Sequence, residues 1–198
     1  MRSLLGTLCA LAALAATGYS LSCQSCAKTG SARCRGPSRP CAADSACRAI
    51  YGKLTSEGVT VREYYILSCA PRIQCDKHGR MDLYFGETKT GSSCCYTDNC
   101  IPPTPTLPED NFQLNGLSCP AGLSFNSLTI FDAEDDVQCS GDETKCALLT
   151  MSVFEIHATL RGCSNKNICD FGSYSFDILG DTFNFTVLCT DNHQHWEF

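Results

Sequence analysis

Beyond residue 16 this sequence has no long apolar run. Nowhere do about 18 consecutive apolar residues occur, so no segment reads as a membrane-spanning helix. The last stretch, TDNHQHWEF, is polar and lacks the hydrophobic tail of a lipid-anchor signal, so no membrane anchor is expected. Histidine is scarce, at His78, His157, His193 and His195. No G-x-S-x-G elbow, H-E-x-x-H pair or phosphate loop is present. A chain without a clustered nucleophile and base reads as a non-enzyme with no cofactor. Basic residues are also few in the second half. From Glu109 to Phe198 there are 3 Lys and Arg against 14 Asp and Glu, whereas Leu21 to Ile101 carries 11 against 7. The basic half mixes in its acids and shows no aromatic–basic interleaving, which excludes nucleic acid as a partner.

Cysteine, in contrast, is abundant, with 17 in 198 residues. The leader MRSLLGTLCALAALAATGYS has one basic residue, an apolar stretch and small residues at its end, the pattern of a secretory signal spanning 1–20. Its removal takes Cys9 away and leaves 16 cysteines, an even number. In an oxidising compartment these form a disulfide framework, so the protein is expected to be secreted and extracellular. Cys94 and Cys95 are adjacent, and neighbouring Cα atoms at about 3.8 Å are too close for an unstrained bridge. The two therefore reach different partners. One closes a long upstream loop, and the other a short loop onto Cys100.

The cysteine-rich part repeats itself. LSCQSC at Leu21 returns as LSCPAG at Leu117, and CAADSAC at Cys41 as CSGDETKC at Cys139. CAPRIQCD at Cys69 returns as CSNKNICD at Cys163, with the same six-residue step and trailing aspartate. This predicts two copies of one module, residues 21–101 and 111–198. The intervening IPPTPTLPED, residues 102–110 with Ile101, reads as a stiff extended linker holding the modules roughly 20 Å apart. Within the modules Val59–Ser68, Leu148–Leu160 and Thr182–Leu188 are rich in β-branched and aromatic residues, predicting strands rather than helices.

Ten cysteines ending in C-C-x4-C resemble the three-finger fold of snake toxins, the urokinase receptor and the lymphocyte-antigen-six proteins. The resemblance implies an all-β, disulfide-rich chain of two tandem three-finger domains. It pairs Cys23 with Cys47, Cys26 with Cys34, Cys41 with Cys69, Cys75 with Cys94, and Cys95 with Cys100. In the second module it pairs Cys119 with Cys146, Cys139 with Cys163, and Cys169 with Cys189. That module lacks four of the ten cysteines as complete pairs, with Thr190 and His195 in place of the last two. The family places an asparagine after its final cysteine, where this sequence has Ile101. Two such modules, the second cysteine-depleted, resemble the gamma-type phospholipase A2 inhibitors. This implies a secreted protein that blocks secreted phospholipase A2 by protein–protein contact, often as an oligomer. The alternative is a three-finger module that modulates a cell-surface receptor.

Several residue groups invite a functional reading. The third loop of the first module, KHGRMDLYFGETKTG, offers Arg80, Met81, Tyr84 and Phe85 as candidate partner contacts. The alternation of Met81, Leu83 and Phe85 equally fits one buried strand face. Asp132, Glu134, Asp136 and Glu143 fall at calcium-loop spacing, but Val137 occupies the position where the loop needs glycine, so no metal site is expected. His193 and His195 form an H-x-H pair without further committed ligands. Asn184-Phe185-Thr186 is the one N-glycosylation sequon. The opposed charges of the halves suggest either steering of a cationic partner or a head-to-tail contact between copies.

Overall fold

The computed structural model describes residues 20–125, 136–153, 155–178 and 181–191. Alternating apolar and polar residues make these segments strands, and cysteines at the strand ends tie them together. In the first module β1 (Ser22–Gln24) pairs with β3 (Ser38–Pro40). The fingers are built from β2 (Cys26–Thr29), β4 (Ser45–Ser56), β5 (Val59–Pro71), β6 (His78–Leu83) and β7 (Gly86–Cys95). The second module contains β8 (Leu114–Pro120), β9 (Gly122–Phe125), β10 (Asp136–Ser140), β11 (Lys145–Val153), β12 (Ile156–Ser164), β13 (Ser173–Ile178) and β14 (Asp181–Thr190). The protein is an all-β, disulfide-rich chain of two three-finger modules. Its one α-helix among the described residues is the single turn α1 (Lys166–Cys169), capped by Asn165, whose side chain accepts from the Ile168 N–H.

Five bridges hold the first module: Cys23–Cys47, Cys26–Cys34, Cys41–Cys69, Cys75–Cys94 and Cys95–Cys100. Three hold the second: Cys119–Cys146, Cys139–Cys163 and Cys169–Cys189. They substitute for the apolar core that modules this small lack, each contributing about 2–5 kcal/mol. With Ile101 half exposed, the closing loop is fastened by its neighbours instead. Asp98 Oδ1 accepts from the Ser22 N–H at 2.8 Å, and the Asn99 N–H donates to Ser22 O at 2.7 Å.

The run Leu148–Leu160 forms strands, as its composition predicts, divided between β11 and β12 of one hairpin. Two sequence expectations need correction. The linker is not a spacer. Pro102 and Pro105 are buried, Ser93 donates to Pro103 O, His78 Nδ1 lies 2.9 Å from Thr106 O, and Lys89 pairs with Asp110, so residues 102–110 lie along β7. Nor are the modules apart, because β12 pairs with β6 through Cys163↔Asp82 and Ser164↔Met81. One ten-stranded sheet therefore runs through both modules.

Candidate contact surface

The third loop of the first module is the hairpin β6–β7, and most of it is used inside the molecule. Met81 and Leu83 are buried, and with the half-buried Phe85 they pack on Ala147, Leu149, Leu160, Ile168, Phe171 and Val187 of the second module. The face that the alternation marks as apolar is covered by this chain itself. Met81 and Arg80, read from sequence as partner contacts, are only 1% and 2% exposed. Phe85 belongs mainly to the same junction.

Arg80 sits on the opposite face of β6, in a cluster assembled from both modules. It donates from Nη1 to Asn111 O at 2.6 Å and from Nη2 to Ser140 Oγ at 2.9 Å. Asp82 lies 3.3 Å from Nη2, and Glu143 3.9 Å from Nε. Glu87 Oε1 is 2.6 Å from Nε but off the N–H direction, so that contact is electrostatic rather than a hydrogen bond. The Phe112 ring covers the guanidinium at 5.7 Å. Part of the charge asymmetry between the halves is thus spent in joining them.

Glu143, one of the calcium-spaced acids, is fully buried here. Its carboxylate accepts from the backbone N–H groups of Asp82 at 2.8 Å and Ser140 at 3.1 Å. Burial, and then the hydrogen bond and negative charge of Asp82, push the Glu143 carboxyl up to about 8. The native state then holds a proton that the unfolded chain releases above the ordinary glutamate range near 4.5. Its stabilising effect is complete below that range and is lost as pH rises towards 8. We expect denaturant midpoints to fall between pH 5 and pH 8, and Glu143→Gln to flatten that slope. An unchanged slope in the variant would remove Glu143 as its source.

Large apolar side chains are exposed at several places, Ile73, Phe112 and Leu114 among them, and three more stand at the tips of fingers two and three. Strands β4 and β5 meet at a two-residue turn, Glu57–Gly58, with φ of 51° and 77°. Two left-handed residues in succession form the tight turn that matches strand twist, so the hairpin closes without a longer loop. Strand β2 covers β5 only from Tyr64 to Leu67, with one further rung from the Gly30 N–H to Glu63 O. Past that point Val59 and Val61 are 65% and 56% exposed. Ser56, the cross-strand partner of Val59, donates its hydroxyl to Phe85 O at 2.7 Å, which stitches the finger-three turn to the finger-two tip. There Tyr84 stands 55% exposed, edge-on to Phe85. Val59, Val61 and Tyr84 thus share one end of the first module. The sequence signal for the valines was the Glu57-Gly58 turn, which places both just past a hairpin bend.

Other expectations fall elsewhere. Residues 1–19 of the leader, Asp132, Glu134, His193 and His195 lie outside the described residues. Asp136 is exposed on β10. Close cysteine triplets such as Cys119, Cys139 and Cys163 are consumed by disulfides and hold no free thiolate for a metal. Asn184 is exposed on β14.

No family-wide sequence profile matches the chain. Individual proteins do. A phospholipase A2 inhibitor of the gamma type from Gloydius brevicaudus siniticus is 30% identical over 198 residues, 98% of this chain and 89% of the relative. Phospholipase A2 inhibitor CgMIP-I of Cerrophidion godmani is 29% identical, covering 96% of each chain. Phospholipase A2 inhibitor LNF2 of Lachesis muta muta is 29% identical over 169 residues, 80% of this chain and 81% of its own. Among solved structures, mouse TEX101 aligns with 86% of this chain and 99% of its own, at 14% identity and a TM-score of 0.35.

Proposed function

The chain belongs to the family of gamma-type phospholipase A2 inhibitors, and from that membership we propose that it is a secreted, non-enzymatic protein that binds and blocks a secreted phospholipase A2. The observation that carries this reading is a match extending over 98% of the chain, so it spans both cysteine-rich repeats of the sequence. Eight disulfides fit an oxidising compartment, and no described helix is long and apolar enough to cross a membrane.

Inhibition by contact needs a rigid surface that a partner can bury. The tip of fingers two and three supplies it, with two bare valines and a tyrosine on hairpins fixed at their bases by bridges. A phospholipase seated there has its own apolar rim covered, which denies it access to lipid. The purified protein should inhibit at least one of a panel of secreted phospholipases in a dose-dependent, saturable way. Complete lack of inhibition at micromolar protein would overturn the reading. The triple variant Val59→Asp, Val61→Asp, Tyr84→Ala should weaken inhibition about tenfold or more. Its stability should change little, since these side chains are solvated. Full inhibition by that variant would move the contact elsewhere on the molecule.

A further inference from the structure

The second module's sheet has two unlike faces. Ala147, Leu149 and Val187 point into the junction with the first module. The opposite face carries Arg161, Leu148 and Leu188 nearest the bridges and, further out, small hydroxyl side chains in cross-strand register. One row runs Thr159, Thr150, Thr186, Ser173 across β12, β11, β14 and β13. The next runs His157, Ser152, Asn184 and Ser175 across the same strands, so the two residues directly beside Asn184 are serines. Directly opposed residues share a face and lie about 4.5–5.5 Å apart at Cβ, so only small neighbours leave room above them.

Asn184 opens the sequon that ends at Thr186, and its amide is held in one orientation. Ser175 Oγ donates to Asn184 Oδ1 at 2.6 Å, which leaves Nδ2 on the side away from Ser175, and Asn184 itself is exposed. Ser173 Oγ donates to Thr186 Oγ1 at 3.1 Å. Backbone pairing on both sides of β14 is untouched by anything attached to Nδ2, because the side chain stands perpendicular to the sheet.

We propose that Asn184 carries an N-linked glycan whose first sugars lie over this hydroxyl face. In the transfer, Nδ2 bonds to C1 of the sugar of a lipid-pyrophosphate-linked oligosaccharide. The C1–O bond to the lipid pyrophosphate breaks, and one amide proton is lost. The occupied face is thereby shielded from protein partners, which leaves the finger tips of the first module free for recognition.

The test is the full chain secreted from an animal cell line, analysed by intact mass before and after peptide N-glycosidase. The expected result is a mass above that of the bare polypeptide, abolished by the glycosidase and by Thr186→Ala, and kept by Thr186→Ser. Release in heavy-oxygen water should convert residue 184 to labelled aspartate in a peptide map of the wild-type protein. That readout decides the matter even if Thr186→Ala is not secreted. A wild-type mass equal to the bare chain, or label at any other asparagine, overturns the proposal.

Discussion

Replacing Arg80 with alanine is expected to destabilise the protein by about 3–5 kcal/mol, the usual cost of removing one partner from a buried ionic cluster. Asp82, Glu87 and Glu143 would be left facing one another, all largely withdrawn from water, with Lys89 3.5 Å from Glu87 as a neighbouring cation. Ser140 Oγ and Asn111 O would also lose their donor. Arg80→Lys keeps the charge but loses the planar fork that reaches Asn111, Ser140 and the acids at once. It should recover about half of the loss. Urea unfolding at two pH values separates charge from packing. At pH 5 the orphaned acids take up protons more readily and the loss should shrink, whereas a pure cavity cost is independent of pH. A loss below about 1 kcal/mol, or one equal at both pH values, would show that the cluster is not what joins the modules.

The junction explains why part of the molecule was legible in the sequence and part was not. Strand pattern is local. The 59–68 run is rich in β-branched and aromatic residues, a property of the segment itself, and it lies within β5. Cysteine spacing is almost as informative, because a bridge restricts its Cα atoms to about 4.4–6.8 Å and so fixes strand ends. The alternation of Met81, Leu83 and Phe85 says that one face of β6 is buried, but not what buries it. An external partner and the chain's own second module leave the same imprint on the sequence. The same holds for proline: residues 102–110 are stiff, but stiffness does not say whether a segment spans a gap or lies along β7. The β11–β12 turn was hidden because no glycine, proline or asparagine marks it, and Glu155 is the one charge in the run. The one-turn helix α1 was hidden because four residues are too few for a helical period. Its placement depends on Asn165 and Asn167, whose side-chain amides donate to His78 O across the junction. Glu143 was singled out for its spacing, but its burial follows from long-range pairing, which spacing does not encode.

Gly162 offers the sharpest test of that pairing. It lies on β12 beside the two rungs that join the modules, and a Cβ at this position would overlap the carbonyl oxygen of Asp82. The obstruction is backbone against backbone, so no rotamer change relieves it. Gly162→Val should therefore push β6 off β12, at a cost of about 3 kcal/mol or more. The disulfides all lie within one module or the other, so neither module loses a covalent tie. The expected product is two folded modules joined by a released linker. Small-angle scattering should show a larger radius of gyration, and a protease specific for residues 102–110 should cut there in the variant but not in the parent. Thermal unfolding should divide into two transitions. Leu83→Asp attacks the same junction from the β6 side by placing a charge among Ala147, Ile168 and Val187, and should give the same three signatures. If both variants keep the parent's radius and a single transition, the modules are held together by something other than this seam. If both open the seam and phospholipase inhibition survives, the contact surface belongs to one module alone. If inhibition is lost with the seam, the partner reads the fixed relation between the two.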